Sequence, residues 1–461
     1  MLELLNALKT ISRSPSFKFF LILFLIVLLL VPLILAGLII DERAGRAGEV
    51  RAQVGRLWGP DQKITGPFLV VPYTVRTSEM QGDKRVETIV ERHAVFTPEA
   101  LDIAGRADAK ILHRSIYDVP VYSARLKLTG RFGVPRISDV EPEGVVGVRW
   151  SDAVVALGLS GVSGLKSSAE LKIDNSASVA FGPSLGFATE ASGIHAKLSD
   201  AHEGIAPSPY QPDRPFSFSA DLDLNGSISL AMAPVARETR VALESNWPHP
   251  SFEDAFAPNE RSIGPAGFTA TWTIPHLARS VPDSWSFARG GFERFDPYVF
   301  GVRLVDPVDF YTLVSRAVKY GVMFVTLAFM AVFCLEVVGR RRVHAVQYLF
   351  AGVAMVFFYV LLLSLAEHVG FEIAYLLASG ATGLMLATYV GAVFKSLLQG
   401  AIMAGVLAML FGLLYFILKL EDYALLAGSV LGFTALTLTM FATLRVDWTG
   451  RRDGAAPVAQ A

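Results

Sequence analysis

Long apolar runs occur near both ends of the chain and are absent from its middle. The first run covers 19–40 and contains no charged residue. Five more follow residue 316, at 318–338, 345–366, 371–393, 397–418 and 423–444. A helix rises 1.5 Å per residue, so about 20 apolar residues cross a hydrocarbon core of about 30 Å. The pattern therefore predicts six transmembrane helices, one N-terminal and five C-terminal.

The segment between the first and second runs shows a period of two instead. Alternating or β-rich stretches cover 67–75, 84–96, 121–133, 215–232 and 267–274, separated by Gly, Pro, Asn and Asp. This pattern predicts a large, mainly β, sandwich-like domain inserted between helices 1 and 2. Two stretches, 121–132 and 215–228, resemble each other, so one large domain and two smaller subdomains are both open. Asn225–Gly226 favours a hairpin turn.

Charge is distributed as this division requires. Charged residues make up 18% of the 461 residues, and the six apolar runs contain only Lys319, Glu336 and Glu372. Outside the runs the charged fraction is about 24%, the usual value for water-soluble protein. A wholly soluble enzyme and a disordered chain are both excluded.

Basic residues predict the orientation. They concentrate in Arg340–Arg342, at Lys395 and after the last run. Because short cytoplasmic loops are enriched in Lys and Arg, both termini are expected in the cytoplasm. The predicted order is a cytoplasmic segment at 1–18, an anchor helix at 19–40, an extracytoplasmic β domain at 41–316, a five-helix bundle at 317–445 and a cytoplasmic tail at 446–461.

Signatures of catalysis and of cofactor binding are weak. The net charge of −1 gives no reason to expect nucleic acid, and the single Cys334 cannot form an internal disulfide. The histidines lack metal-ligand spacing, so no metal or cofactor is predicted. The stretch Gly182–Gly186 matches G-x-S-x-G, but Ser184 would be a nucleophile only in a strand–turn–helix elbow. A Gly/Pro loop is the preferred interpretation, and the chain is predicted not to be an enzyme.

The most unusual local sequence is SNWPHPSF at 245–252. Its two prolines restrict the backbone to extended conformations. We interpret Asn246, Trp247, Pro248, His249 and Pro250 as a candidate recognition loop. The alternative is a rigid turn anchored by its aromatic residues.

A second candidate is a polar cluster at the predicted outer hairpin between the third and fourth spans. Glu367, His368 and Glu372 could bind a cation or sense pH there, and a solvated hairpin tip is the alternative. Glu336 lies about one turn from Arg340, with which it is expected to pair at the membrane surface. No span has a charge at mid-depth, which argues against an ion-driven transporter.

Four segments resemble the CreD family of bacterial inner-membrane proteins. They are SNWPHPSF (245–252), TGPFLVVPY (65–73), the stretch 344–371 and RVDW (445–448). The resemblance implies an inner-membrane location with the β domain in the periplasm. It also implies a role in envelope integrity under the CreBC two-component system, linked to colicin tolerance and β-lactam response. The family has no established catalytic residues, so none can be transferred.

The leading hypothesis is a non-enzymatic inner-membrane protein that supports envelope integrity. Its periplasmic domain would bind an envelope protein or a lipid-linked ligand, and its spans would contact the lipid bilayer. The alternative is a transporter or lipid-handling protein. A periplasmic hydrolase that uses Ser184 has the least support.

Overall fold

The computed structural model describes residues 15–81, 84–174, 177–188, 192–203, 206–207, 210–252, 255–304, 310–339, 343–420 and 424–443. The chain divides into two compact units. The helical unit is Met1–Ala47 with Val308–Ala461, and the β unit is Gly48–Pro307. A large, mainly β unit therefore lies in sequence between an N-terminal and a C-terminal group of helices, as predicted.

Seven α-helices are present among the described residues. They are α1 (Pro15–Trp58), α2 (Phe310–Lys319), α3 (Gly321–Gly339), α4 (Ala345–Val369), α5 (Phe371–Phe394), α6 (Leu397–Lys419) and α7 (Ala424–Thr443). In this part of the chain α1, α4, α5 and α6 are long and apolar enough to span a membrane. A fifth span is possible if α2 and α3, bent by 50°, form one. Helix α7 covers most of the sixth predicted span, and the count of six stays a prediction.

The ends of α4, α5 and α6 follow local capping chemistry. The His344 side chain accepts a hydrogen bond at the start of α4, and Gln347 completes a capping box. Lys395 ends α5 in the left-handed conformation with φ of 50°, and the Ser396 hydroxyl accepts from the Gln399 N–H to start α6. These three helices begin at the residues where the sequence places the starts of their spans.

Helix α1 differs from the prediction. The first predicted span ends at residue 40, because the charged residues start at Asp41. The helix nevertheless continues to Trp58. The added stretch contains three Ala, four Arg and two Glu, which favour helix whether or not lipid surrounds them, and its three Gly do not interrupt it. The predicted domain boundaries at 41 and 316 consequently lie inside α1 and α2, while the β unit extends from Gly48 to Pro307.

Twenty strands are present in the described part of the β unit. They are β1 (Gln62–Gln81), β2 (Lys84–Phe96), β3 (Ala100–Arg114), β4 (Tyr117–Phe132), β5 (Val145–Val148), β6 (Val154–Leu159), β7 (Glu170–Ile173), β8 (Ala177–Ala180), β9 (Gly182–Pro183), β10 (Gly193–Lys197), β11 (His202–Glu203), β12 (Ala206–Pro207), β13 (Phe216–Ser227), β14 (Ser229–Met232), β15 (Glu238–Ser245), β16 (Pro250–Ser251), β17 (Glu260–Gly264), β18 (Gly267–Pro275), β19 (Ser284–Ser286) and β20 (Phe300–Leu304).

The strands form two ten-stranded sheets. The first has the order β16-β20-β14-β1-β6-β10-β9, with β2 and β5 on β1 and β19 on β2. The second has the order β12-β11-β8-β7-β13-β4-β3-β15-β18-β17. Most neighbours are antiparallel, whereas β1–β14 and β3–β15 are parallel.

One apolar core draws residues from both sheets. Phe68 of β1 belongs to the same buried cluster as Tyr122 of β4 and Trp272 of β18. Along β15 the side chains alternate strictly between exposed and buried, the period expected of a strand with one solvated face. A mainly β unit is therefore confirmed, and its sandwich arrangement stays a prediction.

The predicted turn at Asn225–Gly226 is wrong. Strand β13 passes straight through it, and Gly226 lies opposite Tyr122 of β4. A Cβ at Gly226 would lie 2.2 Å from the Tyr122 hydroxyl oxygen, so this glycine makes room for a buried ring. The chain leaves the strand at Ile228, where φ is 58°. The two similar stretches, 121–132 and 215–228, are neighbours in one sheet, because β4 pairs with β13 along their length.

Candidate functional site

The loop after β15 is fixed at its first residue by a pair of hydrogen bonds. The Asn246 side-chain oxygen accepts from the Ala109 N–H at 2.7 Å, and the Asn246 amide donates to the Ala109 carbonyl at 3.0 Å. The exposed Asn246 side chain therefore makes the two hydrogen bonds to β3 that a neighbouring strand backbone would otherwise make. The asparagine has a structural task that the sequence alone did not indicate.

The rest of the loop is fixed by its aromatic residues and by β16. The Trp247 indole N–H donates to the His249 carbonyl at 3.2 Å, and the half-buried ring packs against the core. Pro250 pairs with Leu304 of β20. Phe252 contacts Phe268 edge-on, with 5.5 Å between ring centroids. The loop is anchored at both ends, while the His249 side chain is exposed.

A polar cleft of about 320 Å³ adjoins this loop. Asn246 and Ser245 line one side, and Arg106 and Glu244, whose charged groups are 3.3 Å apart, line another. Gly267, with φ of 130°, lies so close to Ser245 that a Cβ would be 1.9 Å from its carbonyl oxygen. A polar cleft beside an anchored loop with an exposed histidine can accept a polar segment of a partner.

The structure does not unite the polar residues predicted at the outer hairpin. Glu367, only 8% exposed, accepts from the Tyr311 hydroxyl at 3.2 Å and pairs with Arg43 at 3.9 Å. Glu372, 66% exposed, pairs with Lys419 at 2.6 Å.

The third residue, His368, donates from Nδ1 to the Ser364 carbonyl at 2.9 Å. The solvated-tip alternative thus describes His368 and Glu372, whereas Glu367 is buried. Across the residues that the structure describes, no group of three or more His, Cys, Asp or Glu could bind a metal ion.

Two buried carboxylates contact α1, one near its start and one in its second half. Glu336, 8% exposed, pairs with Lys18, and Glu367 pairs with Arg43. Lys18 and Arg43 are 25 residues apart, about 38 Å along a helix, which exceeds a hydrocarbon core of about 30 Å. These pairs therefore lie where the polar boundaries of a membrane would be. Arg340, the expected partner of Glu336, lies outside the described residues.

A polar cluster in the β unit was not found from the sequence. Glu141, 13% exposed, accepts from Arg92 at 2.9 Å and lies 3.4 Å from a guanidinium nitrogen of Arg289. The Tyr73 hydroxyl is 3.4 Å from the same carboxylate. These residues come from widely separated parts of the chain, so no local motif could have indicated them.

Ser184 does not occupy a nucleophile elbow. It follows the two-residue strand β9 with φ of 70°, and among the described residues after it the next element is strand β10. Its hydroxyl accepts from the Gly186 N–H at 3.1 Å, and His195 Nδ1 donates to its carbonyl oxygen, not to its hydroxyl. The arrangement is a tight turn beside a histidine.

His93 of β2 is half-buried beside an aromatic ring, 5.3 Å from Phe187. Burial lowers the pKa of His93 below its ordinary value of 6.5; nearby Arg149 also lowers it, and Glu91 raises it. The unfolded chain regains the ordinary pKa and binds more protons below pH 6.5. The free energy of unfolding therefore falls as the pH drops through 6.5 toward the folded-state pKa.

We expect His93→Gln to reduce the loss of stability between pH 7.5 and 5.5. The measurement is the urea midpoint of the full chain followed by tryptophan fluorescence. His113→Gln is the control, because that ring is 74% exposed. Equal pH dependence in the wild type and in His93→Gln would contradict the assignment.

Comparison with known proteins agrees with this architecture. A family model described as inner membrane protein CreD matches residues 14–449. The chain belongs to the CreD family. The inner membrane protein CreD of Escherichia coli (strain K12) is 31% identical to it over 414 residues, which cover 89% of this chain and 88% of that protein. The CreD match includes the 245–252 loop and all the described helices.

Proposed function

We propose that this CreD-family protein is a non-enzymatic, multi-pass inner-membrane protein that supports cell-envelope integrity under stress. Both termini are cytoplasmic in this proposal, and the β unit is periplasmic. The β unit binds an envelope protein or a lipid-linked ligand through the loop at residues 246–250.

The observation that carries the proposal is the combination of fixed backbone and exposed histidine in this loop. Asn246 binds Ala109 at one end, and Pro250 enters the sheet at the other. Ordering such a loop in advance reduces the entropy lost on binding. His249 is exposed, and Asn246 of the same loop lines a cleft of about 320 Å³.

The hydrogen bonds at Ser184 argue against a hydrolase that uses this serine. The Ser184 hydroxyl accepts a backbone hydrogen bond, and the neighbouring His195 binds the carbonyl oxygen of the same residue. General-base activation of a serine requires the imidazole to contact the hydroxyl.

We expect His249→Ala to abolish function without unfolding the protein. In a strain that lacks the native protein, this variant should lose at least ten-fold in survival of envelope stress by β-lactam, colicin or detergent. His113→Ala, which removes another exposed histidine of the β unit, should complement fully. Immunoblotting checks that both variants accumulate equally. Full complementation by His249→Ala would exclude the loop as the recognition surface.

In-cell crosslinking separates recognition from other uses of the loop. A photoreactive residue at position 249 should capture a specific product that a residue at position 113 does not. Asn246→Ala should weaken this capture, because it frees the loop from Ala109. Capture from position 249 that is unchanged by Asn246→Ala would contradict the role of loop order.

Lipid handling, the alternative function, is favoured by one observation in the helical unit. An apolar groove of about 670 Å³ lies between α5 and α6, enough for part of a lipid.

A further inference from the structure

Helices α5 and α6 form an apolar groove of about 670 Å³. Glu372, Tyr375 and Leu376 line it at one end of α5, and Tyr415 and Phe416 at the adjacent end of α6. The volume is within the range of about 300–1,000 Å³ typical of small-molecule sites. Because the lining is almost entirely hydrocarbon, the occupant must be apolar over most of its length.

The length of the groove matches one leaflet of a bilayer. Its lining extends from Glu372 to Leu384 on α5 and from Ala404 to Phe416 on α6. Each stretch covers 12 residue steps, about 18 Å along a helix. Half of a hydrocarbon core is about 15 Å. The groove therefore extends from the membrane boundary to about the middle of the bilayer.

The width of the groove suits extended hydrocarbon chains. A volume of about 670 Å³ spread over about 18 Å gives a mean section about 6 Å across. Carbon atoms of neighbouring chains pack at about 4 Å, so one or two extended hydrocarbon chains fit.

The charges at the mouth indicate the headgroup. Glu372 and Lys419 meet at 2.6 Å where the groove reaches the helix ends, with their side chains 66% and 43% exposed. Lys419 also lies 5.7 Å from the centre of the Tyr415 ring. A headgroup with one anionic and one cationic group complements this pair: its phosphate faces Lys419 and its ammonium faces Glu372.

We propose that the groove between α5 and α6 is a site for a zwitterionic phospholipid, with an acyl chain between the helices and the headgroup at Glu372 and Lys419. The lipid is a bound ligand of the helical unit, distinct from whatever the 246–250 loop recognises.

The test is native mass spectrometry of the full chain in mild detergent. Phosphatidylethanolamine and phosphatidylglycerol with the same acyl chains are added separately. We expect one phosphatidylethanolamine adduct, at least five-fold more abundant than the phosphatidylglycerol adduct. Equal adducts of the two lipids would overturn the headgroup assignment.

Groove-filling substitutions locate the lipid. A Cβ at Gly380 or Gly383 meets no atom within 4 Å, so Gly380→Leu with Gly383→Leu fills the groove without disturbing packing. We expect the adduct to fall at least five-fold. Gly405→Leu on α6 is the matched control: its Cβ is equally unobstructed and it does not line the groove. An adduct that survives groove filling would overturn the site.

Glu372→Gln tests the headgroup contact. It should bring the ratio of the two adducts close to one, because the ammonium loses its partner. An unchanged ratio would overturn the role of Glu372.

A second copy of the chain is the competing occupant of the groove. A dimer mass that replaces the lipid adduct and disappears on groove filling would show that a second copy covers this face, and the lipid proposal would be wrong.

Discussion

Replacing Glu336 with alanine should lower the stability of the helical unit by about 3–5 kcal/mol, the usual cost of removing one partner from a buried ion pair. The Glu336 carboxylate is 8% exposed and is contacted from three directions. Lys18 of α1 pairs with it, the Val343 N–H donates to it at 3.1 Å, and the Tyr348 hydroxyl donates at 3.0 Å. Removal takes away one acceptor that serves a cation and two hydrogen-bond donors.

A second glutamate–lysine pair in the same unit provides the control. Glu372 and Lys419 are joined at 2.6 Å, but the Glu372 side chain is 66% exposed. Exposed pairs contribute little because water and salt screen them. Glu372→Ala should therefore shift the thermal midpoint of the detergent-solubilised protein far less than Glu336→Ala. The midpoints are measured by size-exclusion chromatography after heating. Equal shifts for the two variants would show that Glu336 stabilises the helix packing no more than an exposed ion pair does.

Glu336→Gln distinguishes charge from hydrogen bonding. The amide retains an oxygen for one donor, but it loses the charge and turns an N–H₂ group toward another donor. We expect a midpoint between those of the wild type and Glu336→Ala. A variant as stable as the wild type would mean that the pairing with Lys18 contributes nothing.

The bounds of several helices could be predicted from the sequence, because their apolar runs are bordered by polar or capping residues. The third to fifth predicted spans begin where α4, α5 and α6 begin and end within three residues of them. The extension of α1 could not be read in this way. Hydropathy predicts which residues lie in lipid, but it does not predict where a helix ends. The helix continues from Asp41 to Trp58 because these residues can form helix in water as well.

The β unit shows what local patterns omit. Alternation located stretches that coincide with β1, β2, β4, β13 and β18, but it did not identify β3 or β15. Asn225–Gly226 was misread because a turn signal is local, and the glycine instead accommodates the Tyr122 ring from the neighbouring strand.

Candidate sites were less predictable still. The prolines predicted a rigid loop at 246–250, but no local pattern predicted its hydrogen bonds to Ala109. The pairing of Lys18 with Glu336 joins residues 318 positions apart. Hydropathy and motif spacing place residues within elements and contain no information on which distant elements meet.

Replacing Arg279 in the β unit is the second substitution with a large expected effect. Its side chain is fully buried, 0% exposed. The guanidinium donates to the carbonyls of Val281, Val235 and Ala236 at 2.5, 2.9 and 3.4 Å, and contacts Asp283 at 3.2 Å. Burial lowers the pKa of Arg279, and Asp283 opposes this shift.

Arg279→Met should destabilise the β unit by about 3–5 kcal/mol, because each buried carbonyl that loses its donor costs about 1–3 kcal/mol and the costs are not additive. Urea unfolding of the full chain followed by tryptophan fluorescence measures it, since Trp58, Trp150, Trp247, Trp272 and Trp285 all lie in this unit. Arg237→Met is the control: Arg237 binds the same Asp283 at 2.8 Å but is 59% exposed. A control as damaging as Arg279→Met would contradict the prediction.

Arg279→Lys and Asp283→Asn decide which interaction matters. If the ion pair with Asp283 dominates, lysine should preserve most of the stability, and Asp283→Asn should be as damaging as Arg279→Met. If the carbonyl contacts dominate, a single ammonium cannot reach groups arranged around a planar guanidinium, so lysine should fail almost as badly as methionine. When Arg279 is replaced, Asp283 is 33% exposed and still pairs with Arg237, so the loss of the arginine leaves little charge unbalanced. We therefore expect the second result: Arg279 joins the segments around Val235 and Val281 mainly by hydrogen bonds to the backbone.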